Sequence, residues 1–153
     1  MPLPAVLANL PLPIIGSPLF IISNPKLVIE QCKAGVIGAM PALNARPASQ
    51  LDEWLAEITE TLAGYNRDYP DKPAAPFAIN QIVHKSNDRL EHDMELCAKY
   101  KVPVIITSLG ARTDVNDAVH APSASRPSHC RRASGKAPSR RTPRWGSPWC
   151  CRR

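Results

Sequence analysis

The sequence predicts an α/β fold with a parallel sheet, because short apolar segments alternate four times with amphipathic helical patterns. The apolar segments begin near residues 13, 36, 76 and 102. Repeated strand–helix units build parallel sheets with right-handed crossovers. No G-x-G-x-x-G or Walker motif follows the first segment, which argues against a dinucleotide-binding or P-loop domain. Four units correspond to half of an eight-unit β/α barrel or to a small open sheet.

The 153 residues divide near His120 into two parts of unlike composition. Residues 1–120 hold all 13 acidic side chains and ten of the 19 Lys and Arg, a net charge of −3. Residues 121–153 hold nine basic side chains, no acidic one, and no Leu, Ile, Val, Phe, Met or Tyr. Such a segment cannot bury enough apolar surface to offset its ordering entropy. We therefore expect one globular part, 1–120, and a disordered basic tail, 121–153.

The first predicted unit consists of a buried strand over residues 13–21, a loop and a helix. Pro18 is expected to end the strand, because proline has no backbone N–H to donate to the sheet. Asn24 is the predicted N-cap of the helix, with Pro25 as its first residue. Gly35 is the predicted C-terminal stop of this helix.

The second unit begins with a short strand over residues 36–40 that ends at Pro41. Ser49 and Asp52 have the spacing of a capping box, which predicts the start of the next helix, and Gly64 is its predicted end. The helix has one apolar face with helical spacing, and we expect this face to lie in the core: Leu51, Trp54, Leu55, Ile58 and Leu62.

The third strand is an apolar run over residues 75–79 that leads into Asn80, Gln81 and, after two more apolar residues, His84. In parallel β/α folds, the residues that leave the C-terminal strand ends build the functional site. These three polar residues are therefore the first candidate site residues. The alternative is that Asn80 and Gln81 cap the next helix or satisfy loop backbone.

The last predicted elements are a helix over residues 87–100, a strand over residues 102–110 and a helix that begins at Thr113 and Asn116. The strand is apolar until its carboxyl end, like the third one. The final helical pattern stops after about two turns. His92 falls in the middle of a helix, where we expect a surface residue.

Five cysteines in a chain of this size do not make a disulfide framework. Cys32 and Cys97 fall within apolar helical patterns, where a free thiol behaves as a small hydrophobe, so we expect a reducing compartment. Nothing before Lys26 is charged, but six prolines interrupt that span and no basic region precedes it. We therefore predict neither a membrane helix nor a signal peptide, and a soluble, cytoplasmic protein.

Several segments carry a resemblance to a known family: Gly16-Ser17-Pro18-Leu19-Phe20 with Ser23-Asn24-Pro25-Lys26-Leu27, then Cys32-Lys33-Ala34-Gly35-Val36-Ile37-Gly38, Pro41-Ala42-Leu43-Asn44-Ala45-Arg46, and Ala78-Ile79-Asn80-Gln81-Ile82-Val83-His84. In this order, and along roughly residues 10–120, they resemble the nitronate monooxygenases, formerly called 2-nitropropane dioxygenases. The resemblance covers the N-terminal part of that family only.

The resemblance implies a TIM barrel that binds FMN and oxidises alkyl nitronates with molecular oxygen. It implies that the backbone of Ser17, Pro18 and Leu19 lies against the flavin ring. Asn80 would hydrogen-bond FMN, and Ser108, at the end of the fourth strand, would lie near it. The alternative for Ser17 and Ser108 is that each hydroxyl satisfies loop backbone.

The later β/α units of the family, which supply its catalytic histidine and the glycine-rich loops for the FMN phosphate, have no counterpart here. Only Gly135 and Gly146 follow Gly110, whereas phosphate sites in such barrels are built after the seventh and eighth strands. We therefore assign no catalytic residue, neither His84 nor His92, and no metal site. FMN binding by this chain alone is an open expectation.

The tail has the composition that GC-rich coding DNA yields when it is translated out of frame, which leads to the hypothesis of a shifted reading frame after residue 120. Non-specific nucleic-acid binding through its +9 charge is one alternative, and Trp145 and Trp149 could stack on bases. Zinc binding lacks a C-x-x-C spacing, and a basic phosphorylation motif at residues 131–134 is too short to be specific. The zinc candidates are His129, Cys130, Cys150 and Cys151.

The leading prediction is a truncated FMN-dependent nitronate monooxygenase that does not turn over as this chain. The alternative is a non-catalytic α/β scaffold with a basic nucleic-acid-binding tail. Four strands cannot close a barrel, so we expect open sheet edges and one open apolar face. Aggregation or chaperone contact would follow, with no membrane and no specific nucleic acid as partner.

Overall fold

A computed structural model describes residues 5–8, 10–110, 113, 115, 117 and 149–151. Its elements, in chain order, are α1 (Ala5–Ala8), α2 (Pro25–Lys33), β1 (Gly38–Pro41), a 3₁₀ helix (Ala42–Asn44), α3 (Gln50–Asp68), β2 (Phe77–Ile82), α4 (Leu90–Lys99), β3 (Val104–Ser108) and β4 (Trp149–Cys151). Strands and helices alternate from α2 to β3, as the sequence predicted.

The sheet has the order β1-β2-β3-β4. The first three strands pair in parallel, with Met40 beside Ile79 and Ile79 beside Ile105. Parallel neighbours need a long crossover, which α3 provides between β1 and β2 and α4 between β2 and β3. The prediction of an α/β fold with a parallel sheet is confirmed.

The predicted first strand over residues 13–21 is wrong in extent. Only Ile15 pairs, in a parallel bridge with Ile37, and the Gly16 N–H donates to the Ile37 carbonyl at 2.7 Å. Prolines without a backbone donor flank the bridge on both sides, so a longer ladder cannot form. The predicted burial is also wrong, because large apolar side chains of the segment are exposed: Ile14, Leu19, Phe20 and Ile21.

Both predicted ends of the first long helix are confirmed. The Asn24 side chain accepts from the Leu27 N–H at 3.0 Å, and Pro25 is the first residue of α2. After the helix, Gly35 has a φ of 86°, the left-handed conformation that favours glycine at this position.

The second strand is confirmed, with a start at Gly38 and Pro41 as its last residue. A Cβ at Gly38 would lie 2.4 Å from the Val28 carbonyl oxygen of α2. Glycine therefore allows the helix backbone to approach the strand more closely than any other residue would.

The apolar face of α3 and its start directly after Ser49 are confirmed, but the predicted capping hydrogen bond and the predicted end at Gly64 are wrong. Ser49 has helical φ and ψ and makes no side-chain cap hydrogen bond. The first N–H groups are instead satisfied by a backbone turn, in which Gln50 donates to the Pro47 carbonyl. Gly64 lies inside the helix, which continues for another turn to Asp68. The buried residues of the face are Leu51, Leu55, Ile58 and Leu62, and the partly buried Trp54 packs beside them.

The third and fourth predicted strands are confirmed as β2 and β3, within slightly narrower bounds. The helix predicted over residues 87–100 begins three residues later, at Leu90. Asn87 belongs to the turn before it, where its side chain donates to the Ile82 carbonyl at 2.8 Å. The predicted fourth helix is described only at Thr113, Val115 and Asp117, which are helical; Asn116 lies outside the described residues.

The two faces of the sheet are covered differently. The helices α2, α3 and α4 pack on one face, around Met40, Ile79 and Ile105. The opposite face carries a smaller cluster, against which part of the N-terminal segment packs. The expectation of an open apolar face is therefore wrong for this area. The covering residues are Val6, Leu7, Leu10 and Ile15.

Strand β4 corrects the predicted disorder of the tail at three residues. It pairs antiparallel with β3, with Trp149 beside Ile106 and Cys151 beside Val104, and so covers an edge that we expected to be open. Such pairing uses backbone N–H and C=O groups and needs no aliphatic side chains. The composition of the tail therefore could not predict this strand. Residues 118–148 of the chain, with His129 and Cys130, lie outside the described residues.

Neither a membrane span nor a metal cluster is found in the part of the chain that the structure describes. None of its helices is both long enough and apolar enough to cross a bilayer. No three His, Cys, Asp or Glu residues there are grouped so that they could hold a metal ion.

Candidate functional site

Asn80 and Ser108 meet at the C-terminal end of the parallel sheet. In the register of β2 and β3, Asn80 lies beside Ile106 and Ile82 beside Ser108. Because alternate residues of a strand face the same side, Asn80 and Ser108 share one face of the sheet. The Ser108 hydroxyl donates a hydrogen bond to Asn80 Oδ1 at 2.5 Å. A hydrogen bond thus joins two polar side chains of adjacent strands.

The loop of residues 17–23, called here the first loop, is held by two side chains. The buried Ser23 hydroxyl accepts from the Leu19 N–H at 2.9 Å. Asn44 donates to the carbonyl oxygens of Leu19 (3.0 Å) and Ser23 (2.8 Å). Its Oδ1 accepts from the Ile21 N–H at 3.1 Å. One asparagine therefore makes three hydrogen bonds to the backbone of the first loop.

The tip of the first loop is apolar and exposed. Its large side chains, from Leu19 to Ile22, are 45% to 76% exposed. Ile21 has a φ of 66°, which is rare for a β-branched residue and is a form of strain that clusters at functional sites. The Arg46 guanidinium lies 5.2 Å from the centre of the Phe20 ring. The loop thus presents apolar surface of the kind that lines ligand sites.

The first loop lies at the same end of the sheet as the Asn80–Ser108 pair. Asn44, which holds the loop, belongs to the 3₁₀ helix directly after β1. The last residue of β1, Pro41, is beside Asn80 in the register. Both features therefore lie at the end of the sheet formed by the carboxyl ends of the parallel strands, where such folds bind their ligands.

Asn80 and the first loop supply a polar donor and an apolar surface, the two kinds of group that a flavin ring would need. Asn80 Oδ1 is occupied by Ser108, so the Asn80 amide Nδ2 is the group that can donate to a ring carbonyl or nitrogen. The predicted backbone contact of Leu19 is restricted, since its N–H and C=O are both bonded within the protein. Of the predicted stretch, the Ser17 N–H and the Pro18 carbonyl are the groups that could meet the ring.

The described part of the chain offers no comparable site for the FMN phosphate. Phosphate loops expose successive backbone N–H groups and are usually rich in glycine. At this end of the sheet, the described glycines are Gly16 and Gly110, one in each of two loops. Gly110 has a φ of 140°, but the described residues after β3 include no second glycine beside it.

The structure separates the other polar candidates from this pair. Gln81 is fully buried on the opposite face of β2, where its amide donates to Cys97 Sγ at 3.4 Å. The exposed His84 contacts the Ser86 hydroxyl at 2.9 Å, a turn interaction. The expected surface position of His92 is confirmed, with 51% of its side chain exposed. Neither the histidines nor Gln81 join Asn80 at the site.

The two buried cysteines carry thiols that stay protonated at neutral pH. Burial raises the pKa of Cys97 to about 12, against a lowering hydrogen bond from Gln81. Burial likewise raises the pKa of Cys32 to about 11. Because the thiolate is the reactive form, both residues are inert packing groups, as the sequence predicted.

Sequence reasoning missed the residues that hold the site together. Asn44 and Ser23 fix the first loop, and Arg89 donates to the Ala45 carbonyl at 2.8 Å. The first-loop partners of Asn44 and the Ala45 partner of Arg89 lie 21 to 44 residues away in the chain, so no local sequence pattern predicts these contacts. Asn44 did stand in a segment that resembles the nitronate monooxygenases, which was the one available signal.

Comparison with known proteins supports the fold. No protein-family model and no curated protein matches the sequence. Among solved structures, the chain is similar to FabK from Thermotoga maritima and to a point mutant of it, each with a TM-score of 0.53 and 20% identity over 72% of this chain. The chain spans 30% to 32% of their length. At this identity the likeness shows a shared α/β fold, of which this chain covers less than a third.

Proposed function

We propose that this chain represents the early β/α units of an FMN-dependent oxidoreductase of the nitronate monooxygenase type. The proposal includes the half-barrel interpretation of the fold and a chain that binds the flavin ring without turning over substrate. It rests on the resemblance of four segments to that family and on the likeness of the fold to FabK. Alkyl nitronate and oxygen are the proposed substrates of the intact enzyme.

The observation that carries this proposal is the Asn80–Ser108 pair, at the same end of the sheet as the apolar first loop. When FMN is bound, it supplies the redox chemistry between the organic substrate and oxygen. The Asn80 amide would donate to the polar edge of the ring, and Ser108 would orient that amide. The side chains at the tip of the first loop would exclude water from the ring face.

Flavin titration of purified protein tests the proposal. We expect FMN fluorescence to be quenched by the natural chain, and the affinity to fall about tenfold in Asn80→Ala, the loss of one hydrogen bond to a desolvated group. Ser108→Ala should lower the affinity less, because it removes only the orienting bond. The control is Asn66→Ala, since Asn66 lies at the opposite, N-terminal end of the strands. Equal affinity in all three variants would contradict the site.

A different result would favour the scaffold alternative. Protein that binds no flavin but binds single-stranded DNA, with an affinity that falls steeply with salt, would assign the function to the basic tail. The tail carries nine positive charges and no negative side chain. We place this second because non-specific binding follows from charge alone.

We also propose that a shifted reading frame produced residues 121–153. The support is the abrupt loss of aliphatic residues near His120. The nucleotide sequence after this codon, translated in the other two frames, should yield apolar strand patterns and glycine-rich loops. Two frames without such patterns would contradict the proposal.

A further inference from the structure

Arg89 connects the two loops that leave β1 and β2. It lies in the turn before α4, and its Nη1 donates to the Ala45 carbonyl at 2.8 Å. Its Nη2 donates to Asp93 Oδ1 at 3.2 Å, one turn further along α4. One planar guanidinium thus bridges a helix and a loop that are far apart in sequence, a geometry that lysine cannot reproduce.

Asp93 is the fixed end of this bridge. Its side chain is 0% exposed, and a buried carboxylate is stable only when it is paired and hydrogen-bonded. Its Oδ1 also contacts His92 Nδ1 at 3.1 Å. Its Oδ2, like Arg89 Nε, is buried without a partner among the described residues. The pair is therefore costly to desolvate, which argues for a role other than stability.

The bridge ends next to the residue that holds the first loop. Ala45 directly follows Asn44, whose side chain makes the three hydrogen bonds to the backbone of that loop. Ala45 itself is fully buried, so its carbonyl has little freedom once Arg89 has bound it. A continuous series of polar contacts therefore runs from Asp93 through Arg89, Ala45 and Asn44 to the first loop.

We propose that Arg89 and Asp93 are positioning residues that fix the first loop in its strained, ligand-facing conformation. They act through Ala45 and Asn44 and contact no ligand themselves. The fixed loop keeps Ile21 at its positive φ. The significance for flavin rests on the proposed function, whereas the mechanical link does not.

Hydrogen exchange of the protein without flavin tests the link directly. In Arg89→Lys and Asp93→Asn, the amides of Leu19 and Ile21 should exchange at least about tenfold faster, because the loop opens locally. Amides within α2 and α3 should keep their natural rates. The control is Glu30→Gln, which breaks an exposed ion pair with Lys33 of similar spacing.

Each result decides the proposal. Faster exchange confined to the first loop supports it; unchanged loop exchange, or an equal increase throughout the core, overturns it. Should Asp93→Asn not fold, Arg89→Gln provides the second variant, because it removes the guanidinium contact with the Ala45 carbonyl but leaves Asn44 and Ser23 in place, and it should release the same two amides. Flavin titration of the variants is read separately: loop release without loss of flavin affinity would leave the positioning role intact and contradict the proposed function.

Discussion

Two polar groups near the Cys97 thiol shift its pKa in opposite directions. Gln81 donates a hydrogen bond to its sulfur, which favours the thiolate, while the negative charge of Asp93 disfavours it. Burial is larger than both effects and raises the pKa of Cys97 from 9.0 to about 12. The residue is therefore a small apolar group of the core whose thiol titrates only at alkaline pH.

This titration predicts alkaline destabilisation. The folded pKa exceeds the unfolded one, so the contribution of Cys97 is fully present below pH 9.0 and is lost as the pH rises towards about 12. In that window the free energy of unfolding should fall by up to about 1.4 kcal/mol per pH unit from this residue. Urea unfolding between pH 7 and 10.5 should show a shallower fall for Cys97→Ala; parallel curves for the two proteins would refute the assignment.

The helices α2 and α3 begin in different ways. Asn24 caps α2 through a side-chain hydrogen bond, whereas Ser49 before α3 makes none, although both fit the sequence rules for a helix start. The difference comes from the backbone, since Asn24 is extended with a φ of −130° and Ser49 is already helical with a φ of −58°. A side chain can cap only from the extended conformation.

Alanine substitutions at the two helix starts should therefore differ. Asn24→Ala should lower the free energy of unfolding by about 1 kcal/mol, because it leaves an N–H of the first turn without its partner. Ser49→Ala, the matched control, should change it by less than about 0.5 kcal/mol. Chemical denaturation measures both, and equal costs would mean that the Ser49 hydroxyl caps α3 after all.

The elements that depend on local patterns could be predicted, and those that depend on distant partners could not. Periodicity predicted α3, β2 and β3. The polar end of the third apolar run indicated Asn80 together with Gln81 and His84, which lie elsewhere, and only the family resemblance indicated Ser108. The first strand is short because its prolines have no N–H to donate to the neighbouring strand. Strand β4 forms because the edge of β3 is open, and both causes involve residues that are distant in sequence. The polar contacts of Asn44 and Arg89 likewise have no local sequence signal.

The sheet as a whole is protected at two places by the terminal parts of the chain. Residues of α1 pack on the face opposite the helices, and β4 occupies the edge of β3. Unpaired strand edges template association with other chains. Self-association through β3 is therefore restrained, while the first loop exposes four large apolar side chains, from Leu19 to Ile22.

Removal of residues 149–153 should release this restraint. We expect the shortened chain to form higher oligomers at concentrations where the whole chain does not, because the edge of β3 is then open. Size-exclusion chromatography with light scattering measures the difference. Cys150→Ser keeps the backbone of β4 and is the control. Equal masses for the whole and shortened chains would show that β4 does not protect the edge.

The most direct measurement compares the affinities of the whole chain for FMN and riboflavin, which share the ring and differ by the phosphate. The site offers an amide donor at Asn80 and an apolar loop for the ring, but no described glycine-rich loop for the phosphate. We predict that both flavins bind, with affinities equal within about threefold, since no charge-assisted contact distinguishes them. Binding of neither flavin, or a preference for FMN of tenfold or more, would contradict a site that grips the ring alone.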